Sequence, residues 1–236
     1  MLEDIIKPGT LVMSAVPVPS TGDALAWGDL LVNRISVVAA IFLFILTLRD
    51  IIRILPDLLA CIDRARANVS LEHSLNIART RNLVAWEAAF FFCLLADRYD
   101  LYSPGIWQII PDGWSFPATV GVFLTFLLVR HLLFLLLKPI RVSQEGANTI
   151  HHTAYNCFII ATAVLLATAG ALSVFHCPDH AIRTVLLWET AGLYFLTLIR
   201  TGQILNYYCN TFATFLYLCA LELLPAGLLI VSVVVL

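Results

Sequence analysis

The stretch that decides the fold is the last one in the chain, TFATFLYLCALELLPAGLLIVSVVVL, from Thr211 to Leu236. It is longer than the roughly 20 apolar residues that a helix needs to cross the hydrocarbon core of a bilayer. Its only charged side chain is Glu222, near the middle, and Pro225 follows shortly after it. A carboxylate at that depth costs about 3 kcal/mol on insertion scales, so we expect it to face the interior of a helical bundle. Because proline removes a backbone donor, a kink is predicted beside the acid.

The composition extends this interpretation to the whole chain. Of 236 residues, 60% are hydrophobic and 13% are charged, whereas soluble domains have about 25% charged residues. Such a chain cannot cover a water-facing surface with polar groups, so lipid is its expected solvent. The net charge of −2 and the lack of a basic, aromatic-rich patch predict no nucleic-acid partner. The six cysteines have no CxxC spacing and are interpreted mostly as buried apolar side chains.

Apolar runs at helical spacing predict an all-α fold, a polytopic transmembrane bundle of six spanning helices. The predicted spans are 30–48, 82–96, 116–137, 149–174, 181–205 and 211–236. Residues 1–29 are interpreted as an extramembrane segment and residues 30–236 as one six-helix transmembrane domain. Trp27 is the expected interfacial anchor of the first segment.

Two further patterns concern the packing of these helices. Between the first two spans, apolar residues from Ile51 to Ile62 keep helical spacing, which predicts an amphipathic interfacial elbow that bends near Pro56. In the fourth span, Ala163, Ala167 and Ala171 recur every four residues. Small residues at this spacing let helices approach closely, so the fourth span is predicted to be the most internal helix.

The basic residues predict the orientation. Ten of the fourteen Lys and Arg residues lie in or beside the first, third and fifth connections, and the other four are Lys7, Arg34, Arg98 and Arg183. These three connections are therefore predicted to be cytoplasmic. Both chain termini then lie on the opposite side of the membrane.

Ionisable side chains inside the predicted spans make up the candidate site. They are Glu87, Arg130, His131, Glu189, Arg200 and Glu222. The three negative charges of the acids are nearly balanced by two arginines and a histidine. This is expected if the six side chains meet in one interior polar cluster centred on Glu222. Three interpretations stay open: a salt-bridged clasp that fixes helix packing, a carboxylate that exchanges protons or touches a polar ligand, and partial exposure to lipid by snorkelling.

Other chemistry has weaker support in the sequence. One short loop contains ligand types suited to zinc or copper, at His176, Cys177, Asp179 and His180, but no second cluster completes a set. A haem between His131 and His152 is a further alternative, and no metal or cofactor is predicted. The chain has no nucleophile elbow, HExxH, P-loop or dinucleotide fingerprint, so an enzyme is the last of the function classes considered.

The segment NYYCNTFATFLYLCALELLP, from Asn206 to Pro225, resembles the closing motif of an uncharacterised family of bacterial integral membrane proteins, a domain of unknown function. In that family a Tyr-Leu-Cys-x-Leu-Glu-x-x-Pro pattern precedes an apolar tail. The matching residues here are Tyr217, Leu218, Cys219, Leu221, Glu222 and Pro225. The resemblance implies a bacterial inner membrane with the outer side periplasmic, and it implies no activity.

These patterns predict a non-enzymatic integral membrane protein, a scaffold or an accessory subunit of a membrane complex. Its expected partners are the lipid bilayer and other membrane-protein subunits. The alternative is a small proton-linked transporter or permease that uses Glu222 and Glu189, and the third is an intramembrane enzyme. One proline-interrupted span, rather than a matching pair in two halves, weighs against the transporter.

Overall fold

A computed structural model describes residues 27–63, 75–104, 107, 110–111, 113–136, 144–208 and 210–235. The regular elements in these ranges are all helical, which confirms the all-α prediction. After a short 3-10 turn at Trp27–Asp29 come α1 Leu31–Asp63, α2 Leu75–Arg98, α3 Ser115–Leu136, α4 Gln144–Val174, α5 Asp179–Tyr208, α6 Thr211–Leu218 and α7 Leu224–Val235. A π-helical turn, Cys219–Leu223, joins α6 to α7 without a break.

Within the part of the chain that the structure describes, five helical segments are long and apolar enough to cross a membrane. They are Leu31–Pro56, Ser115–Leu136, Thr153–Val174, Asp179–Asn206 and Thr211–Val233. The remaining long helix, α2, covers the predicted second span but is not among these segments. The chain thus has the architecture of a multi-pass helical membrane protein. That α2 forms an additional span stays a prediction.

The helix at the centre of the packing is α2, which takes part in three apolar clusters. Ala88 meets α1 and α4 in the first cluster, Leu95 meets α4 and α5 in the second, and Leu94 meets α1 and α3 in the third. Polar side chains of α2 are enclosed as well, since Arg81 is 1% exposed and Glu87 is 5% exposed. A helix surrounded by protein can carry such groups at lower cost than one facing lipid, which explains its weaker hydropathy.

The fourth span is the most enclosed of the five membrane-capable segments, but α2 is buried more deeply and the alanine repeat is not the buried face. Ala163, Ala167 and Ala171 are exposed, and so is Gly170 beside them. The buried face of α4 is the opposite one, where Leu165 packs against α2 and α5. Small residues permit close approach but do not require it, and here the larger apolar side chains of the same helix make the contacts.

The helix α1 continues through Pro56 without interruption. Ile54 and Leu58, within the segment predicted to form the elbow, are each 2% exposed and pack against α2 and α4. Protein contacts therefore hold this part of the segment. The connection that follows, residues 64–74, lies outside the described residues, and so does the predicted extramembrane segment up to residue 26.

Candidate functional site

The candidate site is an ion pair between Arg130 of α3 and Glu222 of the π-helical turn. The Nη2 atom of Arg130 lies 2.5 Å from Oε1 of Glu222. The two side chains are 15% and 8% exposed, so protein encloses the contact. At 1.5 Å per residue, Glu222 lies roughly 16 Å from the start of α6, about half of the ~30 Å hydrocarbon core. The pair closes α3 against the last helix near the middle of the membrane.

The backbone around Glu222 departs from α-helical hydrogen bonding. The N–H of Leu224 donates to the carbonyl of Cys219, as a π-helical turn requires. Pro225 has no N–H to donate to the preceding turn, which weakens the α-helical ladder at this point. In addition, the hydroxyl of Tyr194 on α5 donates to the backbone carbonyl of Glu222 at 2.8 Å. At the position beside the acid where a kink was predicted, the structure has a π-helical turn, a feature that is frequent at functional sites.

A small enclosed space lies beside the pair. Its volume is about 10 Å³, and Arg130, Glu222, Thr201 and Tyr217 are among its lining residues. A buried water needs about 10–15 Å³ measured in this way, so the space fits about one water. Thr201 is 2% exposed, and its hydroxyl has no hydrogen-bond partner among the residues that the structure describes. A water in this space would satisfy that hydroxyl.

Two of the other predicted acids have hydroxyl partners of their own. Thr47 of α1 donates a hydrogen bond to Oε2 of Glu87 on α2. Thr168 of α4 donates to Oε1 of Glu189 on α5 at 2.9 Å. Each acid therefore ties a different pair of helices together, away from the contact between Arg130 and Glu222.

The remaining members of the predicted cluster differ in their placement. Nη1 of Arg200 donates to Oε1 of Gln203 at 3.0 Å on the same helix. His131 is exposed on α3 although it follows Arg130 in the chain. The side chain of His152, considered for a haem, lies outside the described residues.

The sequence did not single out the hydroxyl groups that surround the ion pair. Tyr194, Thr197 and Thr201 recur at spacings of three and four along α5, which places them on one helical face. Tyr194 reaches the carbonyl of Glu222, and Thr201 lines the space beside it. A stripe of hydroxyls along an otherwise apolar span was the available signal. This pattern does not reveal which neighbouring helix the hydroxyl groups of α5 contact.

The loop considered for a metal is held by other contacts. The backbone of His176 adopts a left-handed turn with φ of 53°. Cys177 packs against the cluster between α4 and α5, and Asp179 pairs with Arg98 of α2 at 3.3 Å. Within the described ranges, no three His, Cys, Asp or Glu side chains form a group that could hold a metal ion. The structure therefore does not bring these residues and His180 together as a metal site.

A second polar contact lies at the end of the bundle where α2 ends and α3 begins. The indole N–H of Trp27 donates to Oδ2 of Asp97 at 2.7 Å, and Asp97 is 7% exposed. The guanidinium of Arg98 lies 5.6 Å from the Trp27 ring centroid. The predicted anchor residue is thus bound to the bundle by a hydrogen bond and a cation–π contact.

Asp97, just beyond the predicted second span, should make stability depend on pH. Burial raises the pKa of Asp97 above its ordinary value of 3.8, and hydrogen bonds from Trp27, Ser115 and Thr119 only partly oppose this. The folded state then holds the proton more tightly than the unfolded state, so stability falls as pH rises from the ordinary value through the folded pKa. Asp97→Asn cannot ionise and should gain in melting temperature relative to its parent across that window.

The measurement is the melting temperature of Asp97→Asn and its parent in one detergent between about pH 4 and pH 8, a range that begins near the ordinary pKa and extends above it. The amide oxygen of the variant would still accept from the Trp27 indole, and a hydrogen bond lost at the other carboxylate oxygen would shift stability by the same amount at every pH, so it does not mask the pH dependence. A difference in melting temperature that stays constant over the whole pH range would contradict the raised pKa of Asp97.

Comparisons of the chain with models of protein families, with curated proteins and with solved structures find no match. The class of the protein is instead defined by its own fold and site. It is a multi-pass helical membrane protein whose described helices enclose an ion pair between α3 and a π-helical turn. The resemblance of the closing motif to a bacterial membrane-protein family stays a prediction.

Proposed function

We propose that this chain is a non-enzymatic integral membrane protein that serves as a scaffold or an accessory subunit of a membrane complex. The observation that carries the proposal is the closed ion pair. Arg130 and Glu222 neutralise each other between two helices, and the space beside them fits about one water. A pair enclosed in this way fixes the arrangement of helices, which is the requirement of a scaffold.

The exposed small-residue face of α4, formed by Ala163, Ala167, Gly170 and Ala171, is the surface on which we expect a partner helix. Within a bilayer, small residues favour association because they allow close backbone contact. A Cβ added at Gly170 meets nothing within 4 Å, so a larger side chain there leaves this chain's own packing intact. Gly170→Leu should therefore weaken association without unfolding the bundle.

The test is purification of the full chain from its native membrane in mild detergent, with cross-linking to measure stoichiometry. We expect a stoichiometric partner with the parent and with the control Gly121→Leu, an open position on α3, and loss of that partner with Gly170→Leu. A lone monomer in the parent preparation would overturn the subunit proposal. Equal retention by Gly170→Leu would show that the face of α4 is not the contact.

A proton-linked transporter is the second candidate, and the π-helical turn is the observation that favours it. Glu222 lies in that turn beside Pro225, and Thr201, whose hydroxyl has no partner among the described residues, lines the adjoining space. Local opening of this weakened turn would let water reach the carboxylate of Glu222. Proton flux into liposomes loaded with a pH-sensitive dye decides this: flux in the parent that a Glu222→Gln variant shown to be folded lacks would favour transport, and no flux in the parent favours the scaffold.

We also propose the finer points of location. These are the bacterial inner membrane, six spans that include α2, an amphipathic interfacial elbow between the first two spans, and both termini on the periplasmic side. The support is the clustering of arginines near the first connection and the resemblance of the closing motif.

The orientation predicts which cysteines an impermeant thiol reagent can reach. Cys61, near the end of α1, should stay unlabelled in intact spheroplasts because it lies on the cytoplasmic side, and it should react after lysis. Cys177, half-buried in the loop between α4 and α5, should react before lysis. The reverse pattern would contradict the orientation, and Ser173→Cys, an exposed position near that loop, provides a control for burial.

A further inference from the structure

A groove runs between α3 and α7, on the side of the ion pair that leads to the connection between α2 and α3. It contains about 520 Å³ of open space, within the ~300–1,000 Å³ typical of small-molecule sites. Its α3 wall extends from Ala118 to Val129, about 16 Å along the helix axis. This length matches about one leaflet, or half of the ~30 Å hydrocarbon core.

The shape of the groove follows from the residues on its two walls. Small side chains line α3 where Ala118, Gly121 and Thr125 face the groove. A Cβ added at Gly121 meets nothing within 4 Å, so the wall is open at this point. On the other wall, Leu228 of α7 is 57% exposed. The two helices are joined at the ion pair and leave space between them beyond it.

The polar side chains Tyr102 and Ser232 lie at one end of the groove, and the third, Thr125, donates its hydroxyl to the carbonyl of Gly121 on its own helix. The hydroxyls of Tyr102 and Ser232 are 2.8 Å apart, and the ring of Trp107 packs edge-on against Tyr102 with centroids 5.5 Å apart. Aromatic side chains with one polar end favour the boundary between water and lipid. At the opposite end the lining residues are Val129 and Pro225, which are apolar. The groove is therefore amphipathic along its length.

We infer that this groove binds one acyl chain of a membrane phospholipid, with the ester end at Tyr102, Trp107 and Ser232 and the tail directed toward mid-membrane. The groove is about one leaflet long and lined mostly by apolar side chains, and its interfacial end carries the Trp107 ring beside the hydroxyls of Tyr102 and Ser232, the latter of which donates to the carbonyl of Leu229. This arrangement fits the ligand in length and in polarity. The inference is independent of the proposed function, since a scaffold and a transporter could both retain such a lipid. A second copy of this chain or a partner helix in the groove is the competing occupant.

The experiment uses the full chain reconstituted in vesicles of phosphatidylethanolamine and phosphatidylglycerol, extracted in mild detergent and analysed by native mass spectrometry. We expect the parent monomer to retain a single phospholipid after loosely bound lipid is removed. Gly121→Leu places a larger side chain in the groove without a clash and should abolish this retention. Gly170→Leu, equally open but on α4, should retain the lipid as the parent does.

A second variant keeps the test valid if Gly121→Leu fails to fold. Thr125 lines the same wall, is exposed, and donates its hydroxyl to the carbonyl of Gly121 on its own helix. Thr125→Leu should therefore fill the groove, leave no buried polar group unsatisfied, and lose the lipid as well. Retention by folded Gly121→Leu or Thr125→Leu, loss in Gly170→Leu, or a stoichiometric protein that Gly121→Leu displaces would each overturn the inference.

Discussion

Replacing Glu222 by glutamine is expected to lower the free energy of unfolding by about 3–5 kcal/mol, the usual loss when one side of a buried ion pair is removed. The glutamine side chain has nearly the same shape and can still accept a hydrogen bond from Arg130. It cannot neutralise the guanidinium, which is only 15% exposed and lies 2.5 Å from the carboxylate. The charge of Arg130 would remain enclosed without its counter-charge, so the variant should melt early in detergent.

The matched control is Glu189→Gln on α5. Glu189 accepts a hydrogen bond from the hydroxyl of Thr168, and glutamine offers an oxygen in the same place. Because the donor to Glu189 is a neutral hydroxyl, the free energy of unfolding should fall by about 1 kcal/mol or less, which is the net contribution of an ordinary hydrogen bond. A Glu222→Gln variant as stable as its parent would mean that Glu222 is protonated in the folded protein and that the clasp is not ionic.

The second large effect is expected at Leu186, which is 0% exposed at the contact of α4 with α5. Leu186→Ala leaves a cavity beside Leu165 and Ile182, and core truncations of this kind cost about 2–5 kcal/mol. In a membrane protein the side chain leaves an apolar solvent on folding, so packing rather than transfer from water supplies the cost. We therefore expect about 2 kcal/mol, the lower end of that range.

Leu187→Ala is the control, since Leu187 is 42% exposed on the same helix. It should change stability by less than about 0.5 kcal/mol, as exposed substitutions usually do. Thermal unfolding of both variants and the parent in one detergent provides the comparison. Equal losses at Leu186 and Leu187 would contradict the packing of α5 on α4.

Much of the fold follows from the sequence because membrane helices can be recognised by their length and hydropathy. The last span, from Thr211, met this requirement on composition alone, and the structure places it in a continuous helix with a π-helical turn. The least apolar of the long helices, α2, is not among the membrane-capable segments, and hydropathy alone does not explain its central place in the bundle. Its Arg81 and Glu87 are tolerated because neighbouring helices enclose them, and enclosure is a tertiary property that no local pattern reports.

The candidate site was predictable only in part, for a related reason. The near balance of charges inside the predicted spans gave Arg130 and Glu222 a physical reason to pair. Glu87 and Glu189 had the same reason to join them, yet each meets a threonine hydroxyl on an adjacent helix. The choice between an arginine and a hydroxyl depends on how the helices are rotated against one another, which hydropathy does not specify.

The same limit explains the interpretation of α4. A repeat of small residues at Ala163, Ala167 and Ala171 indicates a face capable of close packing, but it does not name the helix that occupies that face. In this chain the face is exposed, while Leu165 on the other side makes the internal contacts. The occupant that we propose for it is a helix of another chain.

The central claim, that an ionic contact between Arg130 and Glu222 holds α3 to the last helix, is tested most directly by a double-mutant cycle. The measurement is the free energy of unfolding of the parent, Glu222→Gln, Arg130→Met and the double variant in the same detergent. We predict that the double variant loses less than the two single losses added together, by a coupling of about 0.5–3 kcal/mol. Additive losses would contradict the claim, because they would show that the two side chains stabilise the bundle independently.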